Sequence, residues 1–319
     1  VAWVGWCALA LAVFTVLLVI QGKDPLRAYR DILWNTLGSR YGLSEVLVKM
    51  TPLMITALAV TLPARLGLVN VGGEGQMFVG ALAASWVALS FPGLSSALLL
   101  TLMAVAGAAA GGLWGGVAGV LRARGWLNEV FSTMLLNYVG ILAVNALVFG
   151  PWRDPTSANY PQSPEFVPAA WLPTLGATRV HVGLFIGIVG IVLVDGFLRS
   201  TVWGLKIRVV GRSPVAASRN GIPVARYMAV ALTAGGGLAG LAGMAETSAV
   251  LHRLSPGLSS GWGYLGFLIS WVAGHRPLAL IPVSFLLAIL AAGGDILQIT
   301  QGLPYAAVNV LSALILLVV

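Results

Sequence analysis

The residues best placed to do chemistry lie in the run Leu66-Gly67-Leu68-Val69-Asn70-Val71-Gly72-Gly73-Glu74-Gly75-Gln76. Here Asn70, Glu74 and Gln76 stand between apolar stretches with four glycines around them. An ionised acid at the centre of a membrane-spanning helix costs about 2.5–3.5 kcal/mol. Such residues face a bundle interior or a watery cavity. The glycines permit a helix break that opens backbone donors and acceptors to a polar solute. A plainer reading is that Glu74 pairs with a nearby base or caps a helix at the interface. The chemistry on offer is binding and gating, without covalent steps.

Other polar groups are scattered. Asn137, Tyr138 and Asn145 fall within one apolar segment. At 3.6 residues per turn, Asn137 and Asn145 sit about 80° apart. They either line a pathway or act as interhelical glue, worth about 0.6 kcal/mol on average. Trp271 either stacks on a ring or anchors at the interface. Glu246, Asp295 and Gln298 lie near segment ends, where interfacial solvation is the default. His181, His252 and His275 are dispersed near segment ends without metal-ligand spacing, which reads as an interfacial role, and the one cysteine, Cys7, excludes an intrachain disulfide and a cysteine metal site. There is no G-x-x-x-x-G-K-[ST] phosphate loop, since Gly22-Lys23-Asp24 lacks the hydroxyl residue and the first glycine. Neither H-E-x-x-H, nor G-x-S-x-G, nor a carboxylate pair suited to hydrolysis is present. The residues therefore argue against an enzyme and against a cofactor bound by this chain.

The elements that must position these groups follow from composition. Of 319 residues, 58% are hydrophobic and 9% charged, with mean hydropathy +0.93. A soluble domain carries about 25% charged residues, so this surface suits lipid rather than water. Continuous apolar runs of about 20 residues point to helices rather than to the short alternating segments of a barrel. Spans are expected near 2–21, 45–63, 71–91, 95–120, 129–149, 180–198, 227–246, 263–274, 278–294 and 303–319: an all-α membrane protein of about ten transmembrane helices. The eighth is too short to cross alone and is expected to be broken or re-entrant. Because the chain opens on Val1 rather than Met, some N-terminal residues are expected to be missing. Residues 2–21 are too long and uncharged for a signal-peptide core.

Charge orients the spans. The net charge of +8 resides in the connections, as the positive-inside rule requires, and does not indicate nucleic acid. Ten crossings place both termini in the cytoplasm. The 199–226 connection is then cytoplasmic, and it holds Arg199, Lys206, Arg208, Arg212, Arg219 and Arg226 without an acid. The 150–179 connection is external, with six prolines and with Arg153 and Arg179 balanced by Asp154 and Glu165. Against this orientation, Lys23, Arg27, Arg30 and Arg40 fall outside.

Gly107, Gly111, Gly115 and Gly119 recur at four-residue spacing, with Gly112 and Gly116 beside them. Gly235, Gly236, Gly237, Gly240 and Gly243 form a second cluster. Each glycine costs a helix about 1 kcal/mol relative to alanine, which close interhelical packing offsets. The two glycine-rich halves, spans 2–5 and 7–10, start from opposite sides and suit an inverted repeat. In Ser213-Pro214-Val215-Ala216-Ala217-Ser218-Arg219-Asn220-Gly221, a capping serine, a first-turn proline and a trailing glycine predict a short helix. Arg212 stands at its positive end, where the helix dipole disfavours it.

The run Asn70 to Gln76 resembles a signature of ATP-binding-cassette (ABC) permeases of the simple-sugar and nucleoside importer type. Similar to that family are Asp24-Pro25-Leu26-Arg27-Ala28-Tyr29, Thr51-Pro52-Leu53, Asn128-Glu129-Val130, Ser132 to Tyr138, and Gly150 to Pro155. The chain departs from the family pattern over Phe267 to Pro277. The resemblance implies a single permease domain over 1–319 in a bacterial inner membrane. Its partners would be ATPase subunits that bind ATP-Mg, a second, different permease, and a periplasmic or lipid-anchored binding protein. It implies that the 199–226 loop is the coupling segment, through Arg208, Arg212, Ser213, Pro214, Ala217, Arg219 and Gly221. Asn70, Glu74, Gln76, Asn137, Tyr138 and Trp271 become the pathway candidates. The expected cargo is a nucleoside or related sugar; branched-chain amino acids or a pentose in the same class, and an ion-coupled secondary transporter, are the alternatives.

Overall fold

The computed structural model describes residues 2–158, 160–303 and 310. Among these, helices form at Ala2–Ile20 (α1), Pro25–Leu37 (α2), Arg40–Ala64 (α3), Gly73–Ser90 (α4), Ser96–Ala123 (α5) and Glu129–Phe149 (α6). They continue at Gly183–Ser200 (α7), Val202–Arg212 (α8), Pro214–Arg219 (α9), Val224–Glu246 (α10), Trp262–Val272 (α11) and Leu280–Gln301 (α12). Six are long and apolar enough to cross a membrane: α3, α5, α6, α7, α10 with its π-helical extension through Leu251, and α12. The chain is a multi-pass helical membrane protein. The described residues carry six such helices against about ten expected, and the tenth span lies outside them apart from Leu303 and Val310. The short eighth segment is α11, only 11 residues long.

The central helix is α3, buried over 89% of its apolar window and packed by α2, α7, α10, α11 and α12. The glycine clusters explain the closest pairing, α5 against α10. A Cβ on Gly240 would lie 2.1 Å from the Gly107 carbonyl oxygen, and one on Gly236 would lie 2.3 Å from that of Gly111. Both are far inside van der Waals contact, so only glycine lets these backbones meet, and dispersion across the contact offsets its propensity cost.

The bundle has two ends. At one, α8 and α9 gather beside the last turn of α3, where Arg208 donates to the Leu198 carbonyl. At the other lie α2, the 150–182 connection and residues 252–261. Here α2 starts on an Asp24 cap, whose Oδ1 accepts from the backbone N–H of Leu26 and Arg27 at 2.9 and 3.4 Å. It buries Ala28, Ile32 and Thr36 against α12. The 150–182 connection is laced to the stretch after α10. Ser163 N–H donates to Leu254 O at 2.9 Å, and Phe166 N–H donates to His252 O at 2.8 Å. Trp171 stacks on His252 at 4.1 Å, and Arg253 pairs with Glu165 at 2.9 Å.

Candidate functional site: two opposed half-helices

Where α3 ends, Gly67 takes the left-handed conformation at φ 76° and turns the chain back into the bundle. An extended stretch through Val71 follows before α4 begins at Gly73. Buried extended backbone needs partners, and α6 supplies them on three successive turns. Glu129 Oε1 accepts from Val69 N–H at 3.4 Å, and Thr133 Oγ1 accepts from Val71 N–H at 3.3 Å. Asn137 Oδ1 accepts from Gly75 N–H at 2.7 Å, while its Nδ2 donates to Val71 O at 2.9 Å. Within the loop, the amides of Asn70 and Gln76 exchange reciprocal bonds of 3.1 Å. Asn70 Oδ1 also accepts from Gly72 N–H at 3.0 Å.

A second half-helix comes from the opposite end. Gly261 is left-handed at φ 88°, and Ser259 Oγ accepts from Gly261 and Trp262 N–H at 3.0 and 2.8 Å. The first turn of α11 then meets the first turn of α4. Gly263 N–H donates to Glu74 Oε2 at 2.7 Å, and a Cβ on Gly263 would lie 2.2 Å from the Glu74 nitrogen. Each helix N-terminus carries roughly half a positive charge and unpaired N–H groups. One buried carboxylate thus faces two positive ends. The far end of α11 is tied to α3 through Thr61 Oγ1, which lies 2.8 Å from Ser270 Oγ. Ser270 Oγ in turn lies 2.9 Å from His275 Nδ1.

Of the residues singled out from sequence, Asn70, Glu74, Gln76 and Asn137 come together, all buried. Tyr138 and Trp271 lie apart from them, 60% and 47% exposed. Trp271 is the middle of a ladder between Phe267 and His275, with ring centroids 5.8 and 5.2 Å away. The ladder borders a cavity of about 140 Å³ floored by Gly67, Leu68 and Val69. Asn145 does not join Asn137, and its buried Oδ1 has no hydrogen-bond partner. Glu129, Thr133, Ser259, Gly263 and Tyr264 are members that sequence reading missed. The spacing 129, 133, 137 on an apolar helix was the available signal. Two side chains read as interfacial, His181 and Glu246, are buried, whereas Asp295 stays half exposed and pairs with Lys49 at 2.8 Å.

At the α8–α9 end, the short helix predicted over 213–221 forms as α9. Ser213 Oγ accepts from Ala216 N–H at 3.2 Å, Pro214 opens the helix, and Gly221 closes it at φ 75°. Ala217 is buried against the cluster containing Leu62, Leu66 and Leu68, while Arg208, Arg212, Pro214, Val215 and Arg219 face outward. The residues that root α9 therefore continue directly into the re-entrant loop before α4. In the opposite connections, burial holds the His252 imidazole below its ordinary pKa. The Thr156 hydroxyl and N–H hold the Asp154 carboxyl below the usual range.

An apolar helical body with paired half-helices and a rooted basic end segment is the architecture of a transport permease. The chain belongs to the family described as branched-chain amino acid transport system / permease component, which matches residues 42–319. It is 34% identical to the glucose ABC transporter permease protein TsgB13 of Haloferax volcanii, over 97% of this chain and 83% of that one. It is 27% identical to the nucleoside ABC transporter permease protein NupB of Lactococcus lactis, over 94% of this chain and 85% of that one. Against the guanosine ABC transporter permease protein NupP of Bacillus subtilis the figures are 28% identity, 98% and 90%.

Proposed function

We propose that this chain is one permease of an ATP-driven importer that carries nucleosides or related simple sugars across a bacterial inner membrane by alternating access. The observation that carries this reading is the similarity, along nearly the whole chain, to permeases named for glucose, nucleosides and guanosine. The α8–α9 end faces the cytoplasm, as do both termini, and the 150–179 connection faces outward as part of one permease domain. Arg208, Arg212, Ser213, Pro214, Arg219 and Gly221 form the surface on which an ATPase subunit docks, and Ala217, expected among them, is buried and roots that surface instead. Because Ala217 belongs to the same buried apolar cluster as Leu66 and Leu68, docking motion passes into the Asn70–Gln76 loop. Glu74, with Asn70, Gln76 and Asn137, acts as a gate where the half-helices meet. Tyr138 and Trp271 offer aromatic faces to the passing solute.

The packing supports an inverted repeat of spans 2–5 and 7–10. The pair α3 and α10 cross at the centre; α3 packs on α11 and α12 as α10 packs on α4 and α5. A binding protein on the outer face would bear on the 150–179 connection, whose bonds to residues 248–254 lead straight to α11. The second permease is a different chain, and ATP-Mg is held by the ATPases. The family's description favours branched-chain amino acids as a second cargo. Purification in mild detergent with mass spectrometry of what accompanies the chain tests the assembly. An ATPase, a second permease and a binding protein are expected, and a reproducibly solitary chain would overturn the importer reading.

A further inference from the structure

At the end of the bundle away from α8 and α9, a cavity of about 180 Å³ opens between α3, α10 and α12. It is lined by Glu45, Lys49, Arg179, Glu246, Trp262 and Asp295, among others. Three carboxylates meet two cations here, and both cations already have partners. Lys49 Nζ lies 2.8 Å from Asp295 Oδ2, and Arg179 Nη1 lies 2.8 and 3.0 Å from the two carboxylate oxygens of Glu45. Glu246 is left over. It is 8% exposed, and no hydrogen bond or ion pair from the described residues reaches its carboxylate. Trp262, the first residue of α11, forms another wall, with the Lys49 ammonium 5.5 Å from its ring centroid. A larger hollow of about 370 Å³ shares Glu45, Lys49 and Asp295 with the cavity, so the Lys49–Asp295 pair and Glu45 border both spaces.

A buried carboxyl without a hydrogen-bond partner is costly, and in its ionised form the two oxygens only accept. The missing partner must bring donors. A cation would meet Lys49 and Arg179, and an anion would meet three carboxylates. A neutral solute with adjacent hydroxyls meets neither penalty. Two neighbouring hydroxyls can donate to the two oxygens of Glu246, Lys49 has donors beyond the one given to Asp295, and the indole of Trp262 offers an apolar face to ring C–H groups. We propose that this cavity is a subsite for a sugar ring, read through its vicinal hydroxyls by Glu246 and Lys49 and covered by Trp262. It rests on the importer reading. It adds a site that adjoins the half-helix junction, because Trp262 neighbours Gly263, which bonds Glu74. Occupancy of the cavity thereby bears on the first turn of α11.

The test uses the assembled transporter in proteoliposomes. Glu246→Gln keeps the shape and removes the charge. Its KM for a ribonucleoside or for glucose is expected to rise about tenfold or more, the loss of a hydrogen bond to a charged group. A 2′,3′-dideoxynucleoside lacks the vicinal pair, so its uptake should not distinguish Glu246→Gln from the parent. The ribonucleoside and glucose arms separate ribose from hexose preference. A second readout needs neither transport nor that variant: Val250→Cys, introduced with Cys7→Ser, places a thiol on the cavity wall. Maleimide labelling should slow when inosine or glucose is added and should not slow with the dideoxynucleoside. ATP-driven uptake with an unchanged KM in Glu246→Gln and labelling indifferent to every solute would overturn the subsite while leaving the importer intact. Absence of any ATP-driven uptake would instead sink the importer reading, and the labelling result would then decide the cavity alone.

Discussion

Replacing Gly263 with alanine strikes the junction at its tightest point. The added Cβ would stand 2.2 Å from the Glu74 nitrogen, 2.5 Å from its Cα and 2.6 Å from the Gly73 carbonyl carbon. Carbon contacts settle at about 3.5–4.0 Å, and the obstructing atoms are backbone, so no side-chain rotation relieves the clash. The half-helices must part by about 1 Å or more to approach that separation. The 2.7 Å bond from Gly263 to Glu74 then stretches beyond hydrogen-bond range. Overpacking costs about 1–3 kcal/mol, and a lost hydrogen bond to a charged group costs about 1.5–3 kcal/mol. Alanine returns about 1 kcal/mol of helix propensity. The net is a destabilisation of about 1.5–5 kcal/mol. Melting followed by size-exclusion chromatography of the detergent-solubilised protein should show a clear fall in Tm, with uptake lost. Gly196→Ala is the control, because a Cβ there meets nothing within 4 Å. Wild-type melting and uptake in Gly263→Ala would refute the head-to-head placement of the two helices.

Glu74→Gln keeps an acceptor for Gly263 N–H but removes the charge facing two positive helix ends, so it should lower Tm, though less than Glu74→Ala does; a wild-type Tm in Glu74→Gln would show that charge contributes nothing. Asn137→Ala leaves Gly75 N–H and Val71 O without their buried partner, a cost of about 1–3 kcal/mol for each unsatisfied group; the same melting assay checks it, and Tyr138→Ala should melt as wild type. Arg219→Glu should abolish recovery of the ATPase with the affinity-purified permease while membrane insertion stays normal, and coupled uptake at the wild-type rate would count against docking at α9. For His252, burial places the folded pKa below the unfolded value. Its contribution to stability is therefore complete above about pH 6.5 and is lost as pH falls below that toward the folded value. Melting at pH 7.5 and 5.5 should show a smaller acid-induced fall in His252→Gln than in wild type, and identical falls would contradict the assignment.

The long apolar spans, the glycine contact and the short helix α9 were legible because each rests on a local rule: length against a bilayer, small residues at four-residue spacing, and capping at both ends. The broken character of the eighth segment was legible for the same reason, since 11 residues of α11 are too few to cross. Helix α2 was not read as a helix, because its charged and apolar residues alternate around the axis and escape a search for apolar runs. Its Asp24 cap and Pro25 were nevertheless the standard start signal. The site was half legible. Asn70, Glu74, Gln76 and Asn137 stand out as polar residues in apolar surroundings. Their partner Gly263 does not, because 189 residues separate it from Glu74 and nothing local announces that contact. Glu246 and His181 were read as interfacial from their positions near span ends. Burial at those ends is set by the 150–182 connection folding over them, which periodicity cannot express.

The most direct test of ATP-driven import is uptake into proteoliposomes. They would contain this permease with its ATPase and second permease, with the binding protein on one face and ATP on the other. Radiolabelled inosine and glucose would be offered with and without ATP, and with the proton gradient dissipated. An ATP-driven importer accumulates at least one of them in a way that depends on ATP and survives loss of the gradient. Accumulation without ATP that collapses with the gradient would contradict ATP-driven import and would make Glu74 the coupling carboxylate of a secondary transporter.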